Sequence, residues 1–330
     1  MKYGFGVDIG GTTIKIGLFS VEGDLIEKWE IPTNKAENGK HILKEIADFI
    51  HRTIKEKNID KTDVFGVGLG VPGPVNKNGV VNGCVNLGWN AFNVEKEFNE
   101  ISGFRVKVGN DANVAALGEM WQGAGKGYQD VLMVTLGTGV GGGCVLDGKI
   151  VSGIHGAGGE IGHMPVKNDE PIACNCGNHG CLEQYVSATG IVTQAKKTLE
   201  QDTRSSSLRN YASLEAKNIY DEAKNGDQIA NEVVNLTCKI LAKSLAQVCC
   251  VIDPEIIVIG GGVSKAGDIL TSRISTFFKE YAFHACENTP IVLAKLENDA
   301  GMYGCVKSLL QLVVLFTIKK QKRYFKRFLP

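Results

Sequence analysis

The sequence has no net charge, no secretory leader pattern and no apolar run long enough to cross a bilayer. Basic and acidic residues number 36 each, and six of the basic ones (Lys319, Lys320, Lys322, Arg323, Lys326, Arg327) fall in the last twelve positions, which hold no acid. The remaining body is therefore net −6, and a nucleic-acid footprint on it is not expected. The run Leu309 to Ile318 spans ten residues, far short of the roughly 20 that a membrane helix needs. The opening MKYGFGVDIGG lacks a charged start, an apolar stretch and a small-residue cleavage site, so a cytoplasmic protein is expected. In a reducing compartment the ten cysteines are not expected to form a disulfide framework. Seven of them (Cys84, Cys144, Cys238, Cys249, Cys250, Cys286, Cys305) stand in apolar contexts and are expected to be buried small hydrophobes, while the other three are clustered.

What is present is a soluble-type composition, 43% apolar and 22% charged, with 41 glycines that imply many tight turns or ligand-hugging loops. At 330 residues the chain exceeds what one core usually serves, which predicts two lobes with a cleft between them. The runs Tyr3 to Ile9, Thr13 to Phe19 and Leu25 to Ile31 read as three strands joined by Gly-rich turns. A helix from His41 to Lys57 and a strand from Val64 to Val71 follow. Residues Val131 to Gly153 repeat the plan of Phe5 to Ile31, so the two lobes are expected to be related. The later chain is mainly helical: Gln228 to Val251 is a long helix, Glu255 to Ile259 a strand entering Gly260-Gly261-Gly262, and Asp268 to Tyr281 a helix. A strand over Ile291 to Leu296 and a helix over Asp299 to Leu312 then lead to the basic tail, 319–330.

No glycine loop fits a dinucleotide fingerprint or a Walker loop. Gly137 to Gly142 lies between two strands, not between a strand and a helix, and Gly143 to Lys149 is followed by Ile150 where Ser or Thr is required. Two hairpins offer another way to hold phosphate: Asp8-Ile9-Gly10-Gly11-Thr12-Thr13 and Thr135-Leu136-Gly137-Thr138-Gly139. In each, glycines let backbone N–H groups and a threonine hydroxyl approach anionic oxygens. A carboxylate beside such a loop suits Mg²⁺, and Asp8 is that candidate.

The segment Glu160-Ile-Gly-His163, then Cys174-Asn-Cys176-Gly-Asn-His179-Gly-Cys181-Leu-Glu183, places three cysteines and a histidine within nineteen positions. Four such donors suit tetrahedral structural zinc and leave no open position for an activated water. His163 or His179 could supply the nitrogen. Asn110-Asp111 ends a strand over Arg105 to Val108 and precedes a helix over Asn113 to Trp121, a place where Asp is often a helix cap.

The two hairpins and Gly260-Gly261-Gly262 resemble the phosphate and adenosine motifs of the sugar kinase/actin/hexokinase superfamily. The Glu160 to Glu183 region resembles its ROK branch, and the likeness runs from about Tyr3 to Gly304. The resemblance implies an α/β, two-lobed actin/hexokinase-like (RNase-H-like) fold, with lobes over 1–112 and 113–298 and the 299–312 helix joined to the first. It implies ATP bound by Asp8, Gly10, Gly11, Thr12, Thr13, Lys15, Gly137, Thr138, Gly139, Gly260, Gly261 and Gly262. It implies zinc on His163, Cys174, Cys176 and Cys181, and sugar contacts from Asn86, Asn110, Asp111, Glu160, His163 and Glu183, with Asp111 as catalytic base. A homodimer or homotetramer goes with it. Val85 to Trp89 and Gly159 to Met164 resemble the family's glucokinases more than its fructokinases or N-acetylmannosamine kinases, so transfer of phosphate from MgATP to glucose is the expected activity. Phosphorylation of another hexose is the alternative. A sugar-responsive repressor is less expected, because only seven residues precede Asp8 where a DNA-binding domain would stand.

Overall fold

The computed structural model describes residues 2–325, with side chains described through 312. Two compact units emerge: one comprises Met1–Lys126, Ile150–Gly158 and Asn298–Pro330, the other Gly127–Lys149 and Gly159–Glu297.

The first unit holds β1 (Tyr3–Ile9), β2 (Thr13–Ser20), β3 (Leu25–Pro32), β4 (Val64–Val71), β5 (Val80–Cys84), β6 (Trp89–Asn93) and β7 (Val106–Asn110). Its helices are the single turn α1 (Ala36–Gly39), α2 (Ile42–Glu56), α3 (Val94–Ser102), α4 (Asp111–Gln122) and α10 (Ala300–Phe325). The main sheet has the order β3-β2-β1-β4-β7. The first three strands form an antiparallel meander, and β4 and β7 join β1 in parallel. Phe5, Val7 and Ile9 on β1 and Ile42, Ile46 and Ile50 on α2 are all fully buried in one apolar cluster, because the spacing of two along the strand and of four along the helix aims each set at the same layer.

The second unit repeats this sheet. Its strands β8 (Val131–Leu136), β9 (Val140–Leu146), β10 (Lys149–Ile150), β11 (Ile256–Gly260) and β12 (Ile291–Leu293) take the order β10-β9-β8-β11-β12. Again β8 and β9 are antiparallel, and β11 and β12 are parallel additions. The repeat read between Phe5 and Gly153 is thus a repeat of topology. Helices α5 (Glu183–Val186), α6 (Ala188–Gln201), α7 (Ala216–Lys224), α8 (Gln228–Ile252) and α9 (Asp268–Tyr281) complete the unit.

By length and composition α8 alone among the described residues could span a membrane. Here it is a core helix: it packs against α6, α7 and α9, with Val234, Leu241 and Leu245 at 0–1% exposure.

Several expectations need correction. Cys250 is exposed whereas Cys249 is buried, because Cys249 continues the buried row of Ala242 and Leu245 along α8 while Cys250 continues the exposed row of Lys243 and Gln247. The last strand stops at Leu293. The helix expected over 299–312 continues to Phe325, and the role of the basic tail lies outside the residues whose side chains are described. The helix expected from Asn113 begins at Asp111. It packs along α10 within the first unit, which therefore runs to Lys126, past the 112 boundary read from the sequence. That packing is backbone against backbone: a Cβ at Gly304 would overlap the Val114 carbonyl, so only glycine fits there.

Candidate active site and metal centre

In the first unit the antiparallel turn from β1 to β2 is closed by Gly10 N–H donating to the Thr13 carbonyl at 3.0 Å. Asp8 stands at the end of β1 and Lys15 on β2 directly opposite it. Lys15 Nζ donates to the Asn298 carbonyl at 2.9 Å. Burial first, and then the nearby charge of Asp111, push the Asp8 carboxyl up to about 6, while Lys15 opposes the shift. Asn86, on a 3-10 turn over Val85–Leu87, is exposed and reaches the same hairpin: its Cβ lies 3.7 Å from where a Cβ at Gly11 would stand. Lys35 Nζ lies 3.8 Å from that same point. No motif announces Lys35, and sequence reading passes over it.

The edge strand β7 delivers Asn110 and Asp111 to the start of α4. The cap is Asn110, whose Oδ1 accepts from Asn113 N–H at 3.1 Å, while its Nδ2 donates to Asp111 Oδ1 at 3.0 Å and to the Gly73 carbonyl at 3.1 Å. Asp111 is therefore released from capping. Its Oδ1 accepts from Ala112 N–H at 2.7 Å. Burial raises the Asp111 carboxyl above the ordinary range, and the bonds from Ala112 and Asn110 pull it partly back.

In the second unit the hairpin from β8 to β9 is tighter still, with Gly137 N–H donating to the Gly139 carbonyl at 2.9 Å. Thr189 of α6 donates its hydroxyl to the Thr138 carbonyl at 3.2 Å. Gly260 ends β11, and Gly262 lies on the wall of a cavity of about 590 Å³ shared with Thr189, Thr193, Lys196, Glu215 and Lys265. Only the glycines of this cavity are legible as a motif. Thr189, Thr193 and Lys196 come from one face of α6 at helical spacing, whereas Glu215 and Lys265 come from other segments.

His163, Cys174, Cys176 and Cys181 converge, with one donor atom from each within 4.8 Å of all the others. Cys176 Sγ and Cys181 Sγ are 3.7 Å apart, and Cys174 Sγ is 3.8 Å from His163 Nδ1. Two sulfurs bound at about 2.3 Å to one tetrahedral zinc would stand roughly 3.8 Å apart, so the donor set fits that ion. The four cysteine and histidine side chains could thus hold a metal. His179 is elsewhere: its Nδ1 donates to the Glu170 carbonyl at 2.9 Å. The Asn178 amide lowers the Cys176 thiol, and burial raises those of Cys174 and Cys181.

With Nδ1 of His163 turned toward Cys174, its Nε2 lies 3.9 Å from Glu160 Oε2. Glu183 Oε1 accepts from Cys174 Sγ at 3.7 Å. Glu160, His163 and Glu183, all half-buried, are thus gathered around the cysteine loop. Asp8, Asn86, Asn110 and Asp111 belong to the first unit.

The ROK family profile matches residues 4–311. The chain belongs to the ROK family. It is 42% identical over 304 residues to a glucokinase of Halalkalibacterium halodurans, covering 91% of this chain and 92% of that one. It is 36% identical to a glucokinase of Thermotoga maritima, over 91% of this chain and 94% of that one. Among solved structures, a ROK family glucokinase from Streptomyces griseus in complex with glucose and AMPPNP is similar at a TM-score of 0.72 and 30% identity, covering 92% of this chain and 98% of that one. The two meander-plus-two sheets are those of the RNase-H-like fold of ROK sugar kinases.

Proposed function

We propose that this ROK chain transfers the γ-phosphoryl group of MgATP to the 6-hydroxyl of glucose. The observation that carries the reading is the Asp111 site: a half-buried carboxylate at the start of α4, relieved of capping by Asn110 and raised toward neutrality by burial. A carboxylate in that state is a better proton acceptor than an exposed one, because its pKa lies closer to the working pH. The 42% identity to a named glucokinase over nearly the whole chain supports glucose as the sugar.

In this reading Asp111 takes the proton of the 6-hydroxyl as its oxygen attacks the γ-phosphorus. The backbone of Gly10 to Thr13 and of Gly137 to Gly139 binds phosphate oxygens, with Lys15 beside them, and Asp8 holds Mg²⁺. The 590 Å³ cavity beside Gly262 takes the adenosine. Phosphoryl transfer depends mostly on such positioning and on charge stabilisation. Asn86, Asn110, Glu160, His163 and Glu183 read the sugar hydroxyls. Zinc on His163, Cys174, Cys176 and Cys181 orders a loop with too few apolar residues to order itself. A cytosolic setting and a homodimer or homotetramer, as in the family, belong to the same proposal.

The experiment is an ADP-release assay across a panel of hexoses. Glucose should exceed fructose and N-acetylated hexosamines in kcat/KM by more than roughly 10², because a site built to hydrogen-bond hydroxyls leaves buried groups unpaired when one is replaced. An equal kcat/KM for an N-acetyl sugar would overturn the choice of glucose.

A further inference from the structure

Residues 167–179 are mostly exposed, and Ile172 at 58% exposure is among them. One acid breaks that pattern. Glu170 is 6% exposed, in the middle of the segment that leads from His163 to Cys174. Its Oε2 accepts from the Tyr185 hydroxyl at 2.6 Å and lies 3.8 Å from Lys197 Nζ, and its Oε1 accepts from Ile172 N–H at 3.4 Å. Its backbone carbonyl accepts from Nδ1 of His179, which lies between Cys176 and Cys181 in the sequence. The bond to Tyr185 holds the carboxyl below its ordinary range.

A carboxylate is costly to bury and persists only where it is bonded. Here the carboxylate reaches two different helices of the second unit, and the Glu170 backbone carbonyl reaches the cysteine loop. Tyr185 lies on α5 two residues beyond Glu183, Lys197 lies on α6, and His179 lies inside the cysteine loop. The cavity of about 300 Å³ that Glu170 lines is also lined by Cys174, Glu183 and Thr138. One buried acid therefore ties the metal loop, the helix bearing a sugar-reading glutamate and the wall next to the phosphate hairpin.

We propose that Glu170 is a positioning residue that docks the cysteine loop onto Tyr185 and Lys197 and thereby fixes Cys174 for the metal and Glu183 for the sugar. The inference rests on the reading of this loop as a zinc site and of Glu183 as a sugar contact. Partners that hold a metal ligand directly typically cost about 10–100-fold in metal affinity or activity when lost, and Glu170, one step further out through Tyr185 and the loop backbone, belongs at the lower end of that range.

The test uses the full chain with Glu170→Ala, Glu170→Gln and Tyr185→Phe. The readouts are the rate of zinc release to excess chelator, KM for glucose, KM for ATP and Tm. Glu170→Ala and Tyr185→Phe should each release zinc roughly tenfold faster and raise KM for glucose about as much, with KM for ATP within about twofold of wild type. Glu170→Gln should fall between, because its amide oxygen still accepts from Tyr185. The double variant Glu170→Ala/Tyr185→Phe should be no worse than Glu170→Ala, since both remove one coupling. Wild-type zinc release and glucose KM in folded Tyr185→Phe and Glu170→Ala would overturn the proposal. If Glu170→Ala does not fold, Tyr185→Phe, which keeps the ring, decides alone. A wild-type chain without zinc, or inactive on glucose, overturns the underlying reading instead and takes the inference with it.

Discussion

Glu183 Oε2 accepts a hydrogen bond from the Val140 amide at 2.9 Å, while its Oε1 faces Cys174 Sγ at 3.7 Å. One carboxylate thereby connects the β8–β9 hairpin to the cysteine loop. It can do so because residue 139 is glycine, where a Cβ would overlap Glu183 Oε2.

Gly139→Ala should push Glu183 aside. The far end of a glutamate moves cheaply, so Tm should change little while kcat/KM for glucose falls roughly 10–100-fold, as a misplacement of about 1 Å can cost. A double-mutant cycle with Glu183→Ala checks the route: glucose KM in the pair should match Glu183→Ala alone, and full additivity would break the link.

Asp111→Asn keeps the size of the side chain and removes the proton acceptor. With Asn110 as the cap, the helix should be unaffected, so kcat should fall by at least about 10² with zinc content near wild type and Tm no lower than wild type, since the change removes a carboxylate whose charge burial disfavours. Near-normal turnover would remove Asp111 from the chemistry. Asn110→Ala should behave in the opposite sense for stability, losing about 1 kcal/mol with the cap.

Asp8 gives a pH dependence whose sign is fixed by its environment. Its carboxyl is pushed up to about 6 in the folded chain against 3.8 as the ordinary value, so the folded state holds the proton more tightly. Stability in Mg²⁺-free buffer should therefore fall as pH rises through the window from about 4 to 6, and stay lower above it. Asp8→Asn should raise Tm at pH 7.5, leave it near wild type at pH 4, and abolish most of the activity. An Asp8→Asn variant with unchanged Tm at both pH values would contradict the burial argument.

Cys176 is the exposed member of the metal cluster. Cys176→Ser should lose zinc and glucose affinity together, whereas KM for ATP should stay within about twofold. Metal analysis and a sugar titration on the same preparation check both halves, and purified wild-type chain with no zinc would sink the prediction.

The sheets were legible because strands such as Tyr3–Ile9 and Val131–Leu136 carry short apolar runs between glycine turns, and the duplication appears in the same pattern. The metal cluster was legible because three cysteines and His163 lie within nineteen positions. Choosing His163 over His179 needed the family resemblance, since both stand close enough in sequence; in the fold, His179 is turned to the Glu170 carbonyl. Lys35, Lys196 and Glu215 carry no such signal. They reach their places through tertiary packing of segments whose spacing obeys no rule. Burial of Glu170 was hidden for the same reason, as it depends on Tyr185 and Lys197, each on a different helix.

The backbone contact between Gly304 and Val114 bears on the order of events at the ribosome. The core of the first unit, begun by Tyr3, lacks α10 until more than 300 residues have been synthesised, whereas every strand and helix of the second unit has been made by Glu297. A released chain truncated after Glu297 should thus resist protease over 159–297 and be cut readily within 1–126, so the half of the molecule that is translated first is the half that matures last.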